Sequence, residues 1–337
     1  VRSRRQRQMC IRDRSKAGRL KSVATDAGVD QQLHYDELGR TLRIEFGGDV
    51  VQEFGYDDAD NLVSDVTTAA GMVTQEQTAT FDAAGRMTSQ TTAGPDVAGA
   101  GTVRYAYDAE SRLASWTGPE GDEHRYSYDA AGNATSLDGV PATYDARNRL
   151  TSMGTDVAYE WNPNGTQAAV SRPESGTIDR RWDGLGRLIG DGAATYTYDG
   201  LGRVAAAGAQ QFSYAGDLPE PAKIGDTPLT RSPGGTEPLA SGADRLSSDL
   251  TGHITARIGA DGQVLQSRRY APFGEQIAEG DVGPVGFQGQ YTTDTGLTWM
   301  QARWYDATTH TFLSRDPYTA LPPDQHNLFQ YATSDPV

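Results

Sequence analysis

Cysteine is nearly missing. The 337 residues hold one, Cys10, which rules out an internal disulfide framework and a cysteine-rich zinc site. Long apolar runs are missing too: no stretch approaches the roughly 18 consecutive apolar residues of a membrane helix, so no membrane span is expected. Aliphatic density is low, with 36% hydrophobic residues beside 39 glycines, where a hydrophobic-core enzyme would usually be richer. Positive charge is scarce: 30 Lys+Arg stand against 45 Asp+Glu, a net charge of −15 that argues against nucleic acid as a partner, since a phosphate-binding surface needs clustered cations. The five histidines (His34, His124, His253, His310 and His326) have no ligand spacing, and no G-x-S-x-G, P-loop or H-E-x-x-H occurs. Asp57, Asp58 and Asp60 lack the Gly and the distant Glu of a calcium loop and read as a solvated turn. No metal and no cofactor is expected.

The charge that is present is unevenly placed. Residues 1–21 carry nine of the basic residues and one acid, Asp13, leaving 21 basic against 44 acidic side chains from residue 22 onward. No apolar stretch follows these charges, so they are not a signal peptide; the segment is expected to be a disordered or non-native leader, the alternative being a basic arm for an anionic partner.

What the chain has in abundance is a repeated unit: an aromatic, then Asp or Asn, then Gly or a small polar residue three positions on. It occurs at Tyr35, Tyr56, Phe81, Tyr107, Tyr128, Tyr144, Trp161, Trp182 and Tyr198, with a decayed copy at Tyr214, spaced by 16 to 26 residues. The Asp can accept hydrogen bonds from the turn backbone, and a Gly three residues later can take positive φ, closing a type I turn with a following bulge. Before each turn the residues alternate, putting Val103, Tyr105 and Tyr107 on one strand face, as with Tyr126 and Tyr128, and Tyr196 and Tyr198. After it, Arg112-Leu113, Arg149-Leu150 and Arg187-Leu188 start return strands. Each unit is a predicted β-hairpin, and consecutive hairpins pairing edge to edge give an all-β chain: a large antiparallel sheet that must twist and spiral, shell-like, to cover its apolar face. Residues 22–217 form this array, 218–246 read as a Pro/Gly-rich linker or excursion, long enough inside a compact shell for part of it to pair as an irregular strand, and 247–337 as a closing segment with strands at ITARI and VLQSRRY.

These residues resemble the Rhs and YD-repeat proteins, whose relatives include shells of insecticidal toxin complexes, contact-dependent bacterial toxins and, more distantly, animal teneurins. The resemblance runs from about Leu33 to Val337. Its most specific part is C-terminal, where residues 249–275 and 286–317 are similar to the Rhs core-associated segment through Pro272-Phe273-Gly274, Phe287, Gly289-Gln290, Thr295-Gly296-Leu297, Ala302-Arg303, Tyr305-Asp306 and Phe312-Leu313.

The resemblance implies a secreted or cell-surface shell that encapsulates a C-terminal toxin cargo, with the core-associated segment as a plug. In many members that segment is also an aspartyl autoprotease using one Asp in an R-D-P motif and a second in a downstream D-P-x-G. Arg315-Asp316-Pro317 matches the first, which makes Asp316 the candidate catalytic residue and Arg315 its supporting residue. Residues 331–337 align better with the stretch preceding the second motif, so the second carboxylate is expected beyond Val337. Two carboxylates sharing a proton are needed for this chemistry, and Asp316 alone does not supply it. Asp335 is the substitute if the alignment slips. Secretion machinery and cell-surface glycans are further partners to consider. The alternative function is a cell-surface binding module for carbohydrate or protein, in which outward-facing tyrosines stack on sugars.

Overall fold

The computed structural model describes residues 11–15, 18–24, 30–47, 49–231, 238–278, 280–317 and 327–337. Cys10, His326 and most of the basic leader lie outside them. Among the described residues the chain is all-β, as the repeats require, with 27 strands in the antiparallel sheet of the array. The two short 3-10 turns at Phe287–Gly289 and Ala332–Ser334 are the only helical pieces among those residues.

One compact unit comprises 1–102, 227–270 and 276–289. Its first part is a meander that includes Gln31–Tyr35, Thr41–Phe46, Val50–Tyr56, Leu62–Ala69, Met72–Phe81 and Met87–Ala93, each strand paired antiparallel with its sequence neighbour. Its second part includes Pro238–Ser241, Asp244–Ser248, Ile254–Ile258 and Val264–Ser267. The two parts meet through polar side chains: Gln77 Nε2 donates to the Ser248 carbonyl at 2.8 Å, and Ser247 Oγ to Gln75 Oε1 at 2.8 Å. Gly262 carries no side chain for a packing reason, since a Cβ there would stand 2.6 Å from Ala69 and 2.7 Å from Val50.

The other unit comprises 103–226, 271–275 and 290–337. Its repeat strands run from Leu113–Thr117 through Glu123–Tyr128, Val157–Trp161, Gly176–Trp182 and Ala194–Tyr198 to Pro221–Ile224. A separate four-stranded antiparallel sheet is formed by Tyr291–Thr292, Leu297–Met300, Arg303–Asp306 and Thr311–Phe312.

Two expectations differ from what is seen. The stretch 218–246 holds the strands Pro221–Ile224, Thr227–Arg231, Pro238–Ser241 and the start of Asp244–Ser248, where a linker with at most an irregular strand was expected. Pro221 and Pro238 each occupy the first position of a strand, where a missing N–H costs the ladder least. Within the basic leader, Ile11–Arg14 is a strand paired with Leu20–Ala24.

Candidate functional site

The repeat turn is a fixed device. In its first copy the Asp36 N–H donates to Arg40 O at 3.0 Å and Gly39 N–H to Asp36 O at 3.2 Å, while Asp36 Oδ1 accepts from Gly39 and Arg40 N–H at 2.7 and 2.8 Å and Arg40 Nε reaches Oδ2 at 2.6 Å. The turn recurs at Asp82–Arg86, Asp108–Arg112, Asp145–Arg149, Asp183–Arg187 and Asp199–Arg203 with the same Nε to Oδ2 contact at 2.7–2.8 Å. The Arg86 guanidinium first, then its backbone N–H, hold the Asp82 carboxyl below the usual carboxylate range. Position four takes positive φ: Gly85 at 81° and Gly202 at 80°, and, without glycine, Asp60 at 68°, Ser111 at 64° and Asn148 at 59°. The predicted bulge follows, with register shifts just before Tyr56, Tyr128, Trp161 and Tyr198.

The turn also explains why the aromatic is Tyr or Trp. The ring of one unit lies under the arginine of the unit before it, with Arg112 4.8 Å from the Tyr128 centroid and Arg203 4.1 Å from Tyr214. The ring's polar tip then donates to the carbonyl of the residue after that arginine: Tyr128 to Leu113 at 2.9 Å, Trp161 to Leu150 at 2.7 Å, Tyr198 to Leu188 at 2.7 Å and Tyr214 to Val204 at 2.7 Å. Phe81 has no such donor.

In the second unit the residues after Gly289 and the Pro272-Phe273 corner lie against the aromatic face of these repeats. Trp304 is buried, 4.6 Å from the Tyr196 ring, and its Nε1–H donates to Tyr198 Oη at 2.9 Å. Tyr291 meets Phe212 edge to face at 4.9 Å, and Phe329 meets Trp161 at 4.9 Å. Backbone completes the seam: Gln167 N–H donates to Leu313 O at 2.9 Å and Arg315 N–H to Gly165 O at 3.1 Å. Tyr305 is fully buried, and its hydroxyl donates to Phe273 O at 2.7 Å. His310 stacks on Phe273 at 3.8 Å in a left-handed backbone with φ 58°, and its Nδ1 has no partner among the described residues. Burial pushes its imidazole down to about 3, so it is neutral.

The candidate Asp316 stands at the end of this segment. Its Oδ2 is 2.8 Å from Arg303 Nη2, and its N–H donates to Leu328 O at 2.9 Å. Arg303 also donates to Leu328 O at 3.0 Å and lies 3.6 Å above the Phe312 ring. Burial pulls its guanidinium below the usual range, and the Asp316 charge opposes that shift. The ion-pair partner of Asp316 is therefore Arg303, whereas the exposed Arg315 lies along the 162–166 turn, its Cδ 3.3 Å from where a Gly165 Cβ would be. Asp335 N–H donates to Ala332 O at 2.9 Å, within the turn it ends. From sequence, Arg303 was named only as part of the core-associated match and His310 only as one of five scattered histidines, and Trp304 was passed over; the Trp-Tyr pair inside R-W-Y-D was the available signal. Among the described residues no group of three or more His, Cys, Asp or Glu is placed to hold a metal, and no helix is long and apolar enough to cross a membrane.

Residues 14–215 match the family described as Teneurin YD-shell. Human teneurin-1 is 27% identical over 279 residues, a match covering 69% of this chain and 10% of teneurin-1, so the chain spans about a tenth of the length of that relative. Among solved structures, TcdB2-TccC3 with Cdc42 superposes with a TM-score of 0.65 at 17% identity, over 96% of this chain and 20% of that one. TcdB2-TccC3 without its hypervariable C-terminal region superposes with a TM-score of 0.66 at 16% identity, over 97% and 20%.

Proposed function

The chain belongs to the teneurin YD-shell family, and from that premise we propose that it is shell wall together with its closing segment, in a protein that encloses a C-terminal toxin cargo and is secreted or displayed on the cell surface. One observation carries this reading: the residues after Gly289 lie on the aromatic face of the repeats and bury Trp304, Tyr305 and Leu313 there. A segment so seated acts as a plug, because it spends the apolar face of the wall on the chain's own C-terminal part. The same contacts work against sugar stacking, since Tyr126 and Tyr196 are covered by Phe273 and Trp304.

Asp316 is the residue we assign to self-cleavage in the longer protein. Arg303 fixes its carboxylate, and a second carboxylate must share a proton with it across one water. The test is to fuse the parent gene's downstream sequence to this chain and follow the product by gel and mass spectrometry. A cleaved C-terminal piece that stays protease-resistant until denaturation supports enclosure, and Asp316→Asn should abolish cleavage while leaving that protection. A downstream domain digested as fast as the free domain would defeat the enclosure reading; unchanged cleavage in Asp316→Asn would defeat the catalytic assignment.

A further inference from the structure

In a chain with a net charge of −15, one cleft is cationic. It lies in the second unit where the turns 145–149 and 162–166 stand side by side, joined by Arg149 Nη1 donating to Asn162 O at 3.2 Å. The cleft measures about 340 Å³, within the range of ligand-sized sites.

Two of its arginines are spent differently from the rest of the array. Arg149 is tied to Asp145 at 2.7 Å like every repeat arginine. Arg147 and Arg315 are exposed, and neither guanidinium has an ion-pair partner among the described residues. Their backbones are nonetheless fixed, by Arg147 N–H on Asp145 Oδ1 at 2.9 Å and by Arg315 N–H on Gly165 O at 3.1 Å. Two anchored backbone positions thus carry two guanidinium forks that line one cleft, and such forks suit planar carboxylates. Between them the lining is apolar: Pro163, Leu328, which is 37% exposed, and Phe329, buried against Trp161. Asn164 Oδ1 is already taken by the Thr166 hydroxyl at 2.9 Å, which leaves its amide N–H groups to donate.

We propose that this cleft binds an acidic peptide segment, with Arg147 and Arg315 taking carboxylates and Pro163, Leu328 and Phe329 taking an apolar side chain between them. A lone inorganic anion would use the forks but not the apolar lining. Uncharged sugar would leave both guanidinium charges unanswered.

The experiment is fluorescence anisotropy of the intact chain with a labelled peptide of alternating Glu and Leu, and with the same peptide carrying Gln for Glu. The Glu peptide should bind, more weakly as salt rises, and the Gln peptide at least about tenfold more weakly. The double variant Arg147→Gln, Arg315→Gln should lose about tenfold or more. Leu328→Glu, which leaves both arginines in place, should also repel the peptide. Equal binding of the two peptides, or wild-type binding by the double variant, overturns the proposal. Displacement of the peptide by low millimolar phosphate at constant ionic strength overturns the peptide identity and leaves a general oxyanion site.

Discussion

One strand face in each unit buries a different kind of surface behind the same turn. In the first, the strands Leu62–Ala69, Met72–Phe81 and Met87–Ala93 bury Asp65, Thr67, Gln75, Gln77 and Gln90, and the strands after residue 238 answer with Ser247 and Ser248. In the second, the repeats bury Leu113, Leu150, Val170, Leu188 and Val204, and the residues laid upon them include Phe273 and Trp304. The Asp–Arg clamp is the same in both, at Asp36–Arg40 and Asp82–Arg86 as at Asp199–Arg203. The difference teaches that the turn specifies the hairpin while the face specifies what lies on it. A polar face is held by directional bonds whose net worth is small, and an aromatic face by area removed from water.

That contrast can be broken most strongly at Trp304. Trp304→Ala should cost about 3–5 kcal/mol by chemical denaturation, with the loss confined to the second unit. Gln77→Ala, its polar counterpart, should cost about 1–2 kcal/mol through the lost bonds to the Ser248 carbonyl and the Gln90 side chain.

Acid sharpens the comparison next. His310 is neutral when folded, with its imidazole pushed down to about 3, so its stability contribution is complete above about pH 6.5, the ordinary histidine value. As pH falls below that, the unfolded chain takes up a proton the folded one refuses, and stability drains away toward pH 3. The drop between pH 7 and pH 4 should be up to roughly 3 kcal/mol and should shrink in His310→Phe. His124 titrates in the other sense. Burial works against its charged form, but Asp138 at 2.6 Å and Asp122 at 3.1 Å outweigh it and raise its pKa. Its contribution is full below about pH 6.5 and is lost as pH rises through the raised value.

The shared clamp should respond alike wherever it is cut. Asp108→Ala removes two backbone bonds and the Arg112 pair and should cost about 1–2 kcal/mol in the second unit; Asp82→Ala removes the equivalent bonds in the first and should lower its stability too, measured the same way. The smallest effect is expected from Tyr214→Phe, about 1 kcal/mol for the bond to Val204 O.

The hairpins were legible because the turn is local: Asp, a left-handed fourth residue and the following arginine lie within five positions. Legibility fell where partners are distant in sequence. The need for a donor on the aromatic came from a carbonyl one repeat earlier, as in Tyr198 and Leu188, which no turn pattern displays. Arg303 was hidden for the same reason: Arg315 adjoins Asp316 in sequence, yet neighbouring residues on an extended chain point to opposite sides, and the carboxylate pairs across the segment. The strands in 218–246 were masked by prolines, two of which, Pro221 and Pro238, stand at strand starts.

The most direct test of the plug is amide hydrogen exchange on the chain as it stands, comparing wild type with Trp304→Ala. The account predicts that residues 297–313 and the repeat strands 157–198 are protected together, and that Trp304→Ala loosens both while the strands 62–93 keep their protection. Rapid exchange of residues 297–313 in the wild type, beside protected repeats, would contradict it.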